Sequence, residues 1–512
     1  MSYPGTFVEH YTKNYGLLKT LDEYEKTPQT KVFREFIKKL SGSGPLLSSY
    51  NDWVDNMFEK QVVKQSFTAP DGTNIVFRNP KIHKPVIMIN GKEEILYPQY
   101  CRDNNYPYQG RISLECLVTK TNGEEIKTEF DLGEIPIMLQ SKMCNLYQKT
   151  EEELVELGEC ISDPGGYFII KSERSIIAQD KKRTSKPIVY NDNKTGKMFL
   201  DYTSGKKGKN GSKVFTLKLG KKWSTLKICD NCDKNQSQIN LQKHLPIFLI
   251  YKLLSGIDPE EAIDKYIINF IPQKFRRRCL NVLESSVIKM KNIEDHIKYL
   301  CMKRSRKFTY DTRDELEDEF KRTMIENLFP NIEEESGTEE EVINLKLNLF
   351  SYMIVRYILT MLNVLKKDSR DSWVNKRFDT AGVSIKILFG SSLNSLMMTC
   401  IRDIEKFSTK PDYSVFGTTM RSKAPSHLKR DFISSFNKGE WGTKTYARQK
   451  ENVTETTKRD TPLNLWSISA KNNNQISVRD TKTEVREVQP SQRDKHCLIE
   501  TPESNRISLI KY

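Results

Sequence analysis

Apolar and polar positions alternate through residues 61–135, and the turn signals Asp71-Gly72, Asn90-Gly91 and Asn122-Gly123 punctuate them. A period of two broken by such dipeptides is the pattern of antiparallel strands joined by hairpins. Asn122-Gly123, set between Leu117-Val118 and Ile126, predicts one of those hairpins. Residues 1–60 instead read as helical, with candidate segments at Leu21–Glu25 and Lys31–Leu40 and then Trp53–Phe58. Thr150 followed by Glu153 forms a capping box and predicts a short helix there. Asp163-Pro164-Gly165-Gly166 then forces a tight turn, because proline fixes φ and glycine permits positive φ. The apolar run Tyr167–Ile170 after it predicts a buried strand.

From Lys186 to about Asn235 the pattern gives way to Lys, Gly, Asn and Ser, with short strands at Val214–Lys218 and Ser224–Ile228. Gly205–Ser212 reads as a mobile basic loop. Asp258-Pro259-Glu260-Glu261 is a strong helix start, with Asp258 at the N-cap and Pro259 at N1. Helical periodicity runs on through Ile267–Arg304, and a further helix is predicted from Thr312 to Leu328. Glu333–Glu341 reads as a solvated acidic linker between domains. In Leu345–Leu365 the pairs Leu349/Phe350, Met353/Ile354, Tyr357/Ile358 and Met361/Leu362 recur every four residues, which predicts a buried core helix. Lys346, Asn348, Arg356 and Asn363 interrupt the tract and argue against a membrane span. Beyond Asn437 hydrophobic density falls, and 440–496 taken alone has the composition of a disordered segment.

At 512 residues the chain exceeds one compact core, so two to four domains are expected. Its 82 Lys and Arg against 67 Asp and Glu leave a net charge of +15, and the excess is local. Between Asp180 and Lys227 stand 14 Lys/Arg and 3 Asp, a block suited to a polyanion-facing surface. The N-terminus shows no secretory signal, and ten scattered cysteines are too sparse for a disulfide scaffold, so an intracellular, reduced protein is expected. Cys229-Asp230-Asn231-Cys232 has zinc-knuckle spacing, but tetrahedral zinc needs four ligands and only His244 is near. A hairpin turn flanked by two thiols is the preferred reading, and no metal site is assigned.

No Walker A loop, GxSxG elbow or HExxH is present. The acidic runs Glu151–Glu153, Glu333–Glu335 and Glu339–Glu341 fall at a helix start or in the linker, where solvated surface is the simpler reading than a two-metal cage. Around Asp368–Gly382, Arg370, Lys376 and Arg377 alternate with Asp368, Asp371 and Asp379. Such regular alternation favours an internal ion-pair network over a free phosphate surface.

Several stretches resemble the N-terminal part of the second-largest (beta-type) subunit of multisubunit DNA-directed RNA polymerases. Ile135–Lys142 with Gly158–Ile170 and Ile176–Gln179 resembles the family's "PIMLRSK…GECPxDPGGYFIING…VLIAQE". His244–Gly256 resembles "xxIPIVIIFRALG", Asp368–Gly382 "DDRDHFGKKRLDLAG", Asn437–Gly442 "ATGNWG", Thr461–Asn464 "NPLSE", and Val485–Gln492 "VRDVHPTH". Glu500-Thr501-Pro502-Glu503 and the residues to Ile510 resemble "ETPEGPNIGLI". Departures are specific: Lys171-Ser172-Glu173 is one residue shorter than the family's turn, and Ser504 and Ser508 replace glycines. The family's paired fork arginines are missing, and Lys471 is the only nearby cation.

The resemblance implies an α+β, multidomain fold: a mixed helix and antiparallel-sheet protrusion over 1–185 and 344–435, an inserted α/β lobe over 186–343 and a fork region over 436–512. It implies a DNA-directed RNA polymerase subunit that walls part of the DNA cleft and is non-catalytic alone. The implied partners are a separate C-terminal half carrying the catalytic barrel, the largest subunit or subunits, template DNA and the RNA–DNA hybrid, with no membrane. The chain itself is expected to bind no cofactor, and Mg to be held by the largest subunit. The expected nucleic-acid contacts are Lys181, Lys182, Arg183, Lys206, Lys207, Lys209, Lys471, Arg479 and Arg486. Asp163, Pro164, Gly165, Gly166, Arg370, Asp371, Lys376, Arg377, Asp379, Glu500, Thr501, Pro502 and Glu503 are expected to be structural. The Lys/Asn-rich divergence suggests a large DNA virus, hence host cytoplasm or nucleus and the virion; an archaeal origin is the other expectation. The alternative function is a polymerase-derived DNA-binding or regulatory protein acting outside a polymerase complex.

Overall fold

The structure is a computed structural model that describes residues 43–192, 196–205, 212–219, 224–229, 244–287, most of 321–332, 338–406, 412–441, and 452–512 apart from 475, 477–482 and 494. The first described helix, α1 (Gly44–Asp52), passes through one wide turn at Trp53–Met57 into α2 (Phe58–Val63). Strands β1 (Phe67–Thr68) and β2 (Asn74–Ile82) follow, then the hairpin β3 (Val86–Ile89) and β4 (Lys92–Ile95). After α3 (Pro98–Asp103) come β5 (Gln109–Thr119) and β6 (Glu125–Pro136), joined by the predicted Asn122-Gly123 turn with Gly123 at φ 84°. The sheet order is β1-β2-β5-β6, antiparallel throughout. Ile112, Leu114, Cys116 and Val118 alternate inward along β5, as a half-buried strand requires. Helix α4 (Glu151–Glu156) carries the expected box, with the Glu153 amide donating to Thr150 Oγ1 (3.3 Å) and the Thr150 amide to Glu153 Oε2 (2.8 Å). Strands β7 (Tyr167–Ile170), β8 (Ser172–Ile176) and β9 (Ala178–Lys182) complete this passage.

The chain then builds a second core. Strands β10 (Pro187–Asn191), β11 (Met198–Gly205), β12 (Ser212–Leu219), β13 (Ser224–Cys229) and β14 (His244–Pro246) form one antiparallel sheet in sequence order. The apolar helix α5 (Ile247–Ser255) ends at Gly256, which takes the left-handed conformation at φ 72°. It is followed by α6 (Pro259–Ala262), α7 (Arg276–Val287) and α8 (Glu339–Met361). Their inward side chains, from Val189 and Leu200 to Phe350 and Leu359, form one hydrophobic cluster. Glu333–Glu341 is corrected in part: Glu339–Glu341 is the first turn of α8, capped by Thr338, where carboxylates are favoured by the helix dipole. The second core extends to Leu359, past residue 343, because the face of α8 belongs to it.

Past α8 the chain rejoins the first core through β15 (Lys376–Asp379), α9 (Ala381–Lys406), α10 (Phe416–Lys438) and β16 (Thr454–Thr456). Then come α11 (Pro462–Ala470), β17 (Asn472–Asn474) and β18 (Ile510–Lys511). The described part of 440–496 is therefore ordered, its polar strands being held by pairing with distant segments rather than by their own apolar content. Both α8 and α9 are long and apolar enough by composition to cross a membrane, yet 67% and 61% of the qualifying windows are buried within the two cores. The helices expected at Leu21–Glu25 and Lys31–Leu40, and most of the one expected at Thr312–Leu328, lie outside the described residues.

Helix α9 meets α1 at Gly382, where a Cβ would stand 1.9 Å from the Ser49 carbonyl oxygen. The Gly382 amide and Thr380 Oγ1 also donate to Ser49 Oγ, at 3.1 and 2.5 Å. We predict that Gly382→Ala lowers unfolding free energy by about 2–4 kcal/mol, because the two backbones must separate. Urea unfolding should show this as a lower midpoint at unchanged slope.

Candidate nucleic-acid interface and the four-segment junction

Asp163 organises its own turn: its Oδ1 accepts from the Gly165 amide (2.9 Å) and its Oδ2 from Tyr167 Oη (2.6 Å). Gly165 and Gly166 sit at φ 65° and 81°, and a Cβ on Gly165 would stand 2.7 Å from the Leu139 carbonyl oxygen. That close approach lets the Leu139 amide bond the Tyr167 carbonyl at 2.9 Å, which seats the buried strand β7 in the first core. The turn is also where two arginines converge. Arg102 donates to Glu159 (2.7 Å), Glu173 (2.9 Å) and Tyr167 Oη (3.0 Å), while Arg459 donates to Glu173 (3.0 Å) and Asp163 (3.1 Å). Burial opposes the Arg102 charge, but Tyr167 and Glu159 outweigh it and raise the guanidinium above its ordinary value. Three stretches of chain around Arg102, Asp163 and Arg459 are thereby tied at one turn.

The second organising element is the sheet β15-β9-β17-β18. Strand β9 leads towards the second core and β15 leads back from it, and the two pair antiparallel. Strand β17 lies parallel to β9 on its other side and pairs with β18. The register sets Lys181 opposite Arg377 and Lys182 opposite Lys376, which by itself is repulsive. Diagonal acids offset that repulsion: Lys376 pairs with Asp180 (3.1 Å), Lys181 with Asp379 (3.1 Å), and Lys182 with Asp201 on β11 (3.0 Å). The expectation of ion pairing around Asp368–Gly382 thus resolves into pairs that mostly leave the motif. Asp368 takes Arg356 (3.0 Å), Arg370 lies over the Tyr190 ring (5.4 Å), and Arg377–Asp379 (3.8 Å) is a pair within the motif.

Asp180 lies at the centre of this sheet and also accepts from Asn474 Nδ2 (3.0 Å). Burial raises its carboxyl above the usual range despite the Lys376 charge. Lys511 reaches the same place, its ammonium lying over Trp373 (5.5 Å) beside Lys376 (4.4 Å from that ring). Burial and the Lys376 charge push Lys511 down to about 8. His496 packs on Trp373 (4.5 Å) and Phe378 (5.6 Å), and burial together with Lys511 holds it below its ordinary value.

The Glu500–Glu503 stretch closes this junction. Thr501 Oγ1 donates to the Ile510 carbonyl (3.0 Å) and accepts from the Ser508 amide (2.8 Å), while Glu500 accepts from Ser467 Oγ (3.0 Å). Ser508, where the family pattern has glycine, still takes φ 58°. Lys171 likewise adopts φ 61° and turns β7 into β8 in a single residue, which is how the shortened segment is accommodated.

Among the expected nucleic-acid contacts, Lys181 and Lys182 are half-buried in the ion pairs above, and Lys471 pairs with Glu455. Arg486 donates to the carbonyls of Asn505 (2.9 Å) and Ile507 (2.8 Å), bracing the loop before β18. Arg183 is exposed. Lys206, Lys207, Lys209 and Arg479 lie outside the described residues, as does Cys232, whereas Cys229 ends β13. The network of Arg102 and Arg459 was missed in the sequence, where no local spacing relates these arginines to Asp163. Among the described residues no group of three or more His, Cys, Asp or Glu is placed to hold a metal.

Because the folded values of Lys511 and His496 lie below their unfolded ones, the unfolded chain binds more protons in each interval. Stability at the junction therefore rises with pH, first up to about 6.5 from His496 and then between about 8 and 10.5 from Lys511. Hydrogen exchange of the Ser508–Tyr512 peptide, corrected for intrinsic rate, should show rising protection from neutral pH to about 10. Lys511→Met should flatten that upper part.

The model of the family described as RNA polymerase beta subunit matches residues 43–427, about three-quarters of the chain. DNA-directed RNA polymerase III subunit 2 of Arabidopsis thaliana is 22% identical over 515 residues, covering 99% of this chain and 42% of the relative. The probable DNA-directed RNA polymerase II subunit RPB2 homolog of Invertebrate iridescent virus 3 is 24% identical, with 94% and 45% covered. DNA-directed RNA polymerase subunit Rpo2N of Methanococcus vannielii is 24% identical, with 91% and 90% covered. The chain thus spans less than half the length of the plant and viral relatives and nearly the whole length of the archaeal one. With its fold and its match along both cores, the chain belongs to the RNA polymerase beta subunit family.

Proposed function

We propose that this chain is one part of a divided second-largest subunit, contributing the wall and fork of the DNA cleft in a multisubunit DNA-directed RNA polymerase. A second polypeptide would carry the catalytic barrel, and the largest subunit would hold the catalytic Mg. The observation that carries this reading is the family match together with coverage of 90% of the archaeal Rpo2N relative. The two cores support a protrusion formed by the first core and a lobe inserted through β9 and β15, with the fork assigned to the segment after α10. The surface of that last segment agrees. Leu463, Val488, Leu498, Ile499 and Ile507 are 49–89% exposed, an apolar density expected where further protein packs.

Within this reading Arg183 and the cations of the basic block other than Lys181 and Lys182 approach nucleic acid. Lys181, Lys182, Lys471 and Arg486 act one step back, by holding the neck and the loop before β18 in place. The site of action is wherever the assembled polymerase works, in host cytoplasm or nucleus and the virion if the source is a virus.

Affinity purification of the tagged chain from its native source, followed by mass spectrometry, tests this. We expect recovery of a largest subunit and of a chain carrying the barrel, with template-dependent RNA synthesis in the eluate. Recovery of neither would overturn the reading in favour of a DNA-binding or regulatory protein acting outside a polymerase.

A further inference from the structure

Lys274, Arg276, Arg277 and Arg278 occupy the start of α7 and the turn before it, and all four side chains are exposed. Helix α7 is anchored by Cys279 and Leu283, both 0% exposed in the second core. Successive residues advance about 100° around a helix, so the three arginines sweep about 200° of its first turn. From Lys265 to Leu283 the sequence holds no Asp or Glu, and none of the four cations makes an ion pair among the described residues. Phe270, a few residues earlier in the chain, and Tyr352 on α8 are exposed aromatics that meet edge to face at 6.1 Å. Elsewhere on this chain close cations are offset by diagonal acids, as along β9 and β15. Here no acid among the described residues pairs with the cations, so they present a local positive field.

We propose that this arginine turn is a sequence-independent binding site for the phosphodiester backbone of nucleic acid, placed on the inserted domain. Guanidinium forks bind phosphate oxygens bidentately, and the positive end of the helix dipole adds to their field. The choice of nucleic acid over another polyanion rests on the polymerase reading above and on the basic block Asp180–Lys227 in the same domain. The aromatic pair offers a surface on which an unpaired base can stack.

The test is fluorescence anisotropy of the full-length chain with a labelled DNA duplex and with one of its strands, over a salt series. Arg276→Gln/Arg277→Gln/Arg278→Gln is compared with the charge-conserving triple lysine variant. We expect the glutamine triple to bind at least about tenfold more weakly at fixed salt. Its slope of log affinity against log salt should be shallower by about 2–3 on the duplex and about 2 on the strand. The lysine triple should keep the wild-type slope, showing that the loss is one of charge rather than of folding. Whichever DNA form shows the larger change is the form bound. Unchanged slopes on both forms would overturn the proposal. So would retained DNA binding with lost retention on polyglutamate, which would assign the patch to an acidic protein. If the chain co-purifies with polymerase subunits and the slopes do not change, this site fails and the polymerase reading stands; the reverse pattern separates them in the other direction.

Discussion

Strand β9 is the constraint on which the rest of the structure depends. It carries the chain towards the second core, and both of its neighbours, β15 and β17, come from chain that follows that excursion. Asp180 sits at its middle, buried, between Lys376 from the return strand and Asn474 from β17. A buried carboxylate costs free energy unless it is paired, and here both partners, from residues nearly 200 and 300 positions away, converge on Oδ2, while Oδ1 has no hydrogen-bond partner among the described residues. The neck of the inserted domain and the placing of the C-terminal strands are therefore one electrostatic arrangement.

That arrangement explains how a strongly basic chain spends much of its charge. Lysines that face nucleic acid on composition alone are partly engaged in holding strands in register, because β9 and β15 set cations directly opposite each other. The acids that separate them lie on neighbouring strands and on the inserted sheet, at Asp379 and Asp201. The DPGG turn shows the same economy, with Arg102 and Arg459 sharing the carboxylates of Asp163 and Glu173.

Features governed by neighbours in sequence were legible directly. The Thr150/Glu153 box, the Asn122-Gly123 hairpin, the strand after Asp163–Gly166 and the buried face of α8 each depend on a few adjacent residues, and each is present. Glu339–Glu341 reads as linker in the sequence because carboxylates suit both a solvated linker and a first helical turn. Only the cap at Thr338 separates the two. Polar strands such as Asn472–Asn474 carry no apolar period and were invisible, since what orders them is a partner strand.

By itself the sequence determined the local turns, caps and element periods, because periodicity, capping and glycine placement act over a few residues, and its ordered motifs carried the resemblance to the family and hence the expected fold class. Which cations pair and which stay exposed, and which acid each lysine meets, only the tertiary structure decided. Ion pairing depends on distances between side chains that the chain brings together from far apart. Lys181 and Arg278 are both cations in the sequence, yet one lies against Asp379 and the other faces solvent.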